Sequence, residues 1–171
     1  LCCVCFSLPA QAEILAGVAG PLTGQNAVYG NELRVGAAAA VATVNAAGGI
    51  NGEPLAIVEG DDACDAKRAV EVANSFKNKD VRMIIGHFCT SASLAAAPIY
   101  NAAGIVMFNS SSTSPDLTSK NLWNVFRLTG RDDAQADFAA ARINAEGQNG
   151  DVFLITDGQV ETSNIVKRFL S

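Results

Sequence analysis

An open, doubly wound α/β fold with a parallel sheet is what this chain predicts, on three observations. Short apolar runs alternate with longer stretches of helical spacing: Leu55-Ala56-Ile57-Val58, Val81-Arg82-Met83-Ile84-Ile85 and Ile105-Val106-Met107-Phe108 are the clearest runs. Each run ends in a turn or cap, at Asp61-Asp62-Ala63-Cys64-Asp65, at Gly86-His87-Phe88-Cys89-Thr90-Ser91 and at Asn109-Ser110-Ser111-Ser112-Thr113-Ser114-Pro115. Alternation of this kind is the signature of βα units joined by crossovers. Finally, 171 residues with 49% hydrophobic and 17% charged content suit one domain with a real core and argue against disorder.

The elements follow in order. Glu13 to Ala19 reads as a buried strand, ending in the turn Gly20-Pro21-Leu22-Thr23-Gly24. The next segment is a helix with Leu33, Ala37, Ala40 and Val44 on one face, closed by Gly48-Gly49 as a left-handed cap. Asn51-Gly52 turns the chain into the second strand, and Asp65 is placed to cap a helix that buries Val70, Ala73 and Phe76. An alanine-rich helix spans Ala92 to Ala103, where Pro98 should kink it or shift its start. After the fourth strand, an irregular stretch from Pro115 to Thr118 precedes Asn124–Gly130, read as a strand that crosses elsewhere. A helix from Arg131 to Glu146, a strand over Asp151–Thr156 and a helix from Glu161 to Leu170 look like the start of a second α/β lobe.

Charge and cysteine usage narrow the function. A net charge of −5 without a basic stripe excludes nucleic acid as an expected partner, and no run approaches the ~18 apolar residues of a membrane span. Residues 1–12 are uncharged, with Pro9 and the small residues Ala10 and Ala12 before Glu13. They read as the residual end of a secretory signal, the alternatives being a buried first strand or a cloning remnant. Cys2, Cys3 and Cys5 would leave with that segment. Two cysteines then remain, Cys64 and Cys89. In an exported chain an even count suggests one disulfide, worth roughly 3 kcal/mol on the chain-entropy account; two free buried thiols are the alternative. With a single histidine and no pair of C-x-x-C motifs, neither zinc nor any other metal is expected, and no cofactor is implied.

In an open α/β sheet the segments just past the strands gather along one edge, where ligands bind. Gly17, Gly20 and Gly24 do not match the dinucleotide fingerprint, and turn glycines account for them. Serine hydrolysis has abundant serines but no G-x-S-x-G elbow, and His87 is the sole imidazole; it reads as a packing or hydrogen-bonding group near a strand end. The hydroxyls suit another role. Thr90 and Ser91 begin a helix, where N–H groups and the dipole favour an anion, and Thr113 at the next strand end adds a hydroxyl and an N–H. Serines are also common turn formers, so the pattern alone leaves small-anion binding and plain turns open.

Several of these windows, taken in order, resemble the periplasmic leucine/isoleucine/valine-binding proteins, the receptors of branched-chain amino acid ABC transporters. The markers are Gly20-Pro21-Leu22-Thr23-Gly24, Tyr29-Gly30, Asn45-Ala46-Ala47-Gly48-Gly49-Ile50-Asn51-Gly52, Asp61-Asp62-Ala63-Cys64-Asp65, Ile85-Gly86-His87-Phe88-Cys89 and Ser112-Thr113-Ser114-Pro115-Asp116-Leu117-Thr118. The resemblance runs from Glu13 to about Thr156 and implies a type I solute-binding fold of two lobes with a hinge. On it, 13–125 form the ligand-binding lobe, 126–130 a hinge strand, and 131–171 the beginning of a second, truncated lobe. Cys64 would pair with Cys89. Thr90 and Thr113 would hold a ligand carboxylate, the carbonyl of Ser111 would accept from its ammonium, and Tyr29 and Phe88 would wall the side-chain pocket. The implied protein is a periplasmic, non-enzymatic receptor that passes an amino acid or similar small acid to membrane permease subunits. Departures point elsewhere in detail: Thr90 stands where serine is usual, Ser111 and Ser112 where small apolar residues are common, and Asp157–Thr162 lacks the family's Tyr-Gly. A sensor or receptor for an amide, urea or aromatic acid on the same fold is the alternative, and a serine hydrolase the remoter one. Half a site implies millimolar affinity or none.

Overall fold

The computed structural model describes residues 13–147, 151–156 and 160–170. The segment read as a residual signal lies outside them. Five parallel strands, β1 (Ile14–Gly20), β2 (Leu55–Asp61), β3 (Met83–Gly86), β4 (Val106–Asn109) and β5 (Val125–Arg127), form one sheet in the order β2-β1-β3-β4-β5. Helices α1 (Ala27–Ala46), α2 (Ala66–Asn78), α3 (Thr90–Ala103) and the single turn α4 (Asp116–Ser119) connect them, and α5 (Asp132–Ala145) and α6 (Val160–Phe169) follow. This is the open, doubly wound parallel sheet the alternation predicted.

Glycines in β1 show how helices cover both faces. A Cβ on Gly17 would lie 2.7 Å from the Phe76 ring of α2, whereas one on Gly20 would point at Leu33 of α1. Since successive strand residues face opposite ways, residues 17 and 20 place α2 and α1 on opposite sides. Gly17 is therefore a packing glycine within a strand, not a turn glycine. Phe76 also lies over Gly60, whose Cβ would meet it at 2.8 Å, so one ring fills two notches in adjacent strands. Its full burial is worth about 3 kcal/mol.

The main core lies between the sheet and the α2–α3 pair. Ile84, Met107 and Val125 meet Ala69, Ala73, Phe76, Ala92, Ala96, Ala97, Tyr100 and Leu117 there. The alanines let the two helices sit close together and close to the sheet. On the other face α1 lies against β1, β2 and β3. Of its expected stripe Ala37 is buried, Leu33 and Val44 are partly buried, and Ala40 is exposed.

Local signals explain the boundaries. Asp65 caps α2 by accepting from the N–H groups of Lys67 and Arg68, both at 2.9 Å. Gly104 ends α3 in the left-handed conformation at φ 69°. The helix runs through Pro98 and begins at Thr90, two residues before the expected Ala92.

Three expectations change. The strand read as crossing elsewhere is the fifth member of the same sheet. Met107 N–H donates to Asn124 O at 2.8 Å and Leu128 N–H to Asn109 O at 2.7 Å, so this segment satisfies the free edge of β4. The stretch after Pro115 is not irregular but turns once as α4. Asp151–Thr156 has the apolar content of a strand but is not one, and all six residues are exposed.

Candidate ligand site

The carboxyl ends of the strands share one edge, and β1 and β3 flank the point where the strand order reverses. That crevice is the usual ligand position in open α/β sheets. Tyr29 comes to it from the first turn of α1, and Phe88 from the segment after β3. Their rings stack with centroids 4.6 Å apart and planes 8° from parallel. Gly30 permits this, since a Cβ there would sit 2.1 Å from the Pro21 carbonyl oxygen. Without it, α1 could not press onto the preceding turn.

Asp61, at the end of β2, anchors that turn. Its carboxylate accepts from Leu22 N–H at 2.8 Å, from the Thr23 hydroxyl at 2.6 Å and from Arg68 at 2.8 Å. Partial burial pushes this carboxyl up, but the Thr23 hydroxyl, the Ala63 and Leu22 N–H groups and Arg68 together hold it below the usual carboxylate range.

Beneath the rim, Cys64 and Cys89 form a disulfide with Cα atoms 5.3 Å apart, tying the ends of β2 and β3 together. Beside it a fully buried chain runs Asp62–His87–Tyr100. His87 Nδ1 lies 2.6 Å from Asp62 Oδ2 and Nε2 lies 2.9 Å from the Tyr100 hydroxyl. Burial, reinforced by the charge of Asp62, drives the Tyr100 pKa well above that of a free phenol, so it stays neutral. Both ring nitrogens of His87 are engaged, in keeping with the packing and bonding role read from the sequence.

The residues expected to hold a carboxylate sit on two neighbouring strand ends. Thr90 is the first residue of α3 and is buried; the N–H groups of that first turn have no intrahelical acceptor. Ser111 and Thr113, both partly buried, lie just past β4. The two segments are bonded together: the Ser112 hydroxyl lies 2.7 Å from the Ser93 hydroxyl and 3.4 Å from Phe88 O. Asn109 adds bonds to both sides. Arg127 then fixes the far side of the loop, donating to Ser114 O at 2.7 Å and to the Thr118 hydroxyl at 2.9 Å. Burial and the nearby Arg131 lower its pKa against the opposing pull of Asp133 and Asp132.

Thus Tyr29 meets Phe88, Cys64 meets Cys89, and the segment of Thr90 abuts that of Ser111 and Thr113. A concavity of about 450 Å³ runs along Gly130, Arg131, Ala134, Gln135 and Phe138. It lies just past β5, where Asp132 N–H donates to Thr113 O at 3.1 Å, and its lining includes none of the hydroxyls expected to hold a carboxylate. The site is an open shelf, with Tyr29 45% exposed. Among the described residues there is no group of three or more His, Cys, Asp or Glu side chains placed to hold a metal, and no helix is long and apolar enough to cross a membrane.

Sequence reasoning missed the residues behind the shelf: Asp62, Tyr100, Ser93 and Asn109. The available signal was an asparagine closing the apolar run Ile105–Phe108, a polar group in a position that a core strand must bury. Asp62 stood in a window already singled out, without a role.

The fold is an open, doubly wound α/β sheet whose strand carboxyl ends share one edge. A family model described as periplasmic binding protein matches residues 13–169, and the chain belongs to that family. It is 41% identical over 154 residues to a Leu/Ile/Val-binding protein homolog 1 of Brucella abortus, covering 90% of this chain and 42% of that protein. It is 45% identical over 139 residues to an amino acid binding protein of Pseudomonas aeruginosa, covering 81% and 37%. An ABC transporter substrate-binding protein from Desulfitobacterium hafniense in complex with Leu superposes with a TM-score of 0.75 at 31% identity, covering 92% of this chain and 46% of that one. The chain thus spans less than half the length of the curated relatives it matches.

Proposed function

We propose that this chain is the ligand-binding lobe, with the beginning of a second, of an extracytoplasmic receptor for a small amino acid, serving the permease subunits of an ABC importer. Residues 13–125 are the lobe, 126–130 the hinge strand and 131–171 the entry to the second lobe. The observation that supports the reading is the bonding of the first turn of α3 to the turn after β4, through the Ser93 and Ser112 hydroxyls at 2.7 Å, with Phe88, stacked on Tyr29, in the segment just before α3. An α-carboxylate accepts from the hydroxyls and N–H groups of Thr90 and Thr113, the ammonium donates to Ser111 O, and the aromatic pair bounds the side chain. Neutral donors at a helix start hold an anion without a fixed cation. The name of the Brucella relative, at 41% identity, supports a branched-chain ligand.

Catalysis is no part of this reading. A serine nucleophile needs a base within reach, and His87 is buried with both nitrogens committed to Asp62 and Tyr100. One observation favours a ligand more polar than leucine: three consecutive serines, Ser110 to Ser112, line the turn. A polar amide or acid is therefore the second reading.

Titration of the nitrogen-15-labelled chain with L-leucine tests the site. Millimolar affinity or none is expected, with leucine-dependent amide shifts concentrated at Thr90, Ser91 and Thr113, and Thr113→Ala in the full-length protein should weaken binding by about 1–3 kcal/mol. Shifts concentrated at other amides, or micromolar affinity from this half of a site, would overturn the reading.

A further inference from the structure

We propose that Asn109 is a positioning residue of this site, a buried side chain that sets the two carboxylate-binding segments at their working separation. The inference rests on the reading of the site given above and extends it to a residue that touches no ligand. Asn109 ends β4 and is fully buried. Its Oδ1 accepts from Ser112 N–H at 2.7 Å and from Ser111 N–H at 3.2 Å, which folds the turn after β4. Its Nδ2 lies 2.8 Å from His87 O and 3.3 Å from Gly86 O, which fixes the segment after β3. The same nitrogen is 2.9 Å from the Ser93 hydroxyl and 3.2 Å from the Ser112 hydroxyl.

One amide plane thus faces backbone acceptors on the Phe88–Thr90 side and backbone donors on the Ser111–Thr113 side. An amide has two hydrogens and an oxygen with two lone pairs, so it can serve both sides at once. Aspartate has the same size but no donor for the Gly86 and His87 carbonyls, and a buried carboxylate facing them is repelled. Serine is too short to bridge, and leucine does neither. The Ser93–Ser112 pair is a second, weaker tie parallel to it. Because Phe88, Thr90, Ser111 and Thr113 all lie within four residues of a group this amide holds, a lost tie opens the shelf at the place where a carboxylate must touch both sides.

A merely structural asparagine would lower stability without moving the site, and Asn124 supplies that control. It is equally buried and donates to Ile105 O at 2.6 Å, at the opposite end of the β4–β5 pair. The labelled 171-residue chain and its Asn109→Asp, Ser112→Ala and Asn124→Asp variants are compared by leucine titration and amide hydrogen exchange. Asn109→Asp should weaken leucine binding about tenfold or more and speed exchange at Ser111 and Ser112 by a similar factor, the loss of one or more buried hydrogen bonds. Ser112→Ala should weaken binding about threefold, and Asn124→Asp should change it by less than about twofold at comparable loss of thermal stability. Equal weakening by Asn109→Asp and Asn124→Asp, or leucine binding by Asn109→Asp within about twofold of the parent, would overturn the proposal. If Asn109→Asp does not fold, Asn109→Ser, too short to bridge, decides: affinity within about twofold of the parent overturns the positioning role and about tenfold weakening upholds it. Failure of the underlying site reading looks different. The parent chain's leucine-dependent shifts would then fall at amides away from Thr90, Ser91 and Thr113, although exchange at Ser111 and Ser112 still responded to Asn109→Asp; that result removes the site and the positioning role together.

Discussion

Residues 13–127 and residues 131–170 carry similar elements, yet only the first set closes around a core. In the first, every strand has a neighbour, and helices flank both faces. In the second, α5 and α6 pack on each other, but Phe138 is 74% exposed and Phe153 and Ile155 are 86% and 93% exposed. The second region is somewhat less apolar than the first, but not enough to explain the contrast. What separates them is pairing: Val125–Arg127, three residues long, is a strand because β4 offers it an edge, while Asp151–Thr156, twice as long, joins no strand of that sheet. Strand formation here follows from pairing, and apolar sequence only permits it.

The comparison can be broken most severely at Gly86. Its φ of 127° lies in a region that side chains rarely adopt, and a Cβ would stand 2.0 Å from Ala19 O in the adjacent strand. Gly86→Ala should cost about 4 kcal/mol or more and erase the cooperative urea transition of the first region. A normal transition would mean that β1 and β3 are not held this closely.

A smaller effect is expected at Asp61. Its carboxyl sits below its ordinary pKa when folded, so it adds stability above the unfolded value, about 3.9. That contribution falls away as pH drops through the folded value. Asp61→Asn should therefore lower the urea midpoint at pH 6 while converging with the parent near pH 2 (about two units below the unfolded value). A constant gap across that range would contradict the assigned bonds to Leu22, Thr23 and Arg68.

The least effect belongs to the second region. Phe153→Ser removes a large apolar side chain, but an exposed one, so the main unfolding transition should shift by less than about 0.5 kcal/mol. A loss typical of a core phenylalanine, about 3 kcal/mol or more, would show that Phe153 packs in the folded molecule after all.

Much of the site was legible because its residues follow strands, and strand ends in an alternating chain must share an edge. Cys64 and Cys89, Thr90 and Thr113 could be assigned to that edge from position alone. The stacking of Tyr29 on Phe88 was less accessible, since it depends on how closely α1 approaches its own turn through Gly30. Asn109 was legible only as a polar residue closing an apolar run; the neighbouring strand alone shows that its amide has backbone to bind on both sides.

Order of apolar runs, caps and glycines was enough to dictate an alternating parallel sheet, because periodicity and capping act over a few residues and leave their trace in consecutive letters. Which strand lay beside which, whether residues 125–127 and 151–156 paired, and where one buried amide met two loops depended on contacts between residues distant in sequence. Those contacts form only when the chain packs, and hydrogen bonds across the sheet then select among segments that local propensity treats as equals.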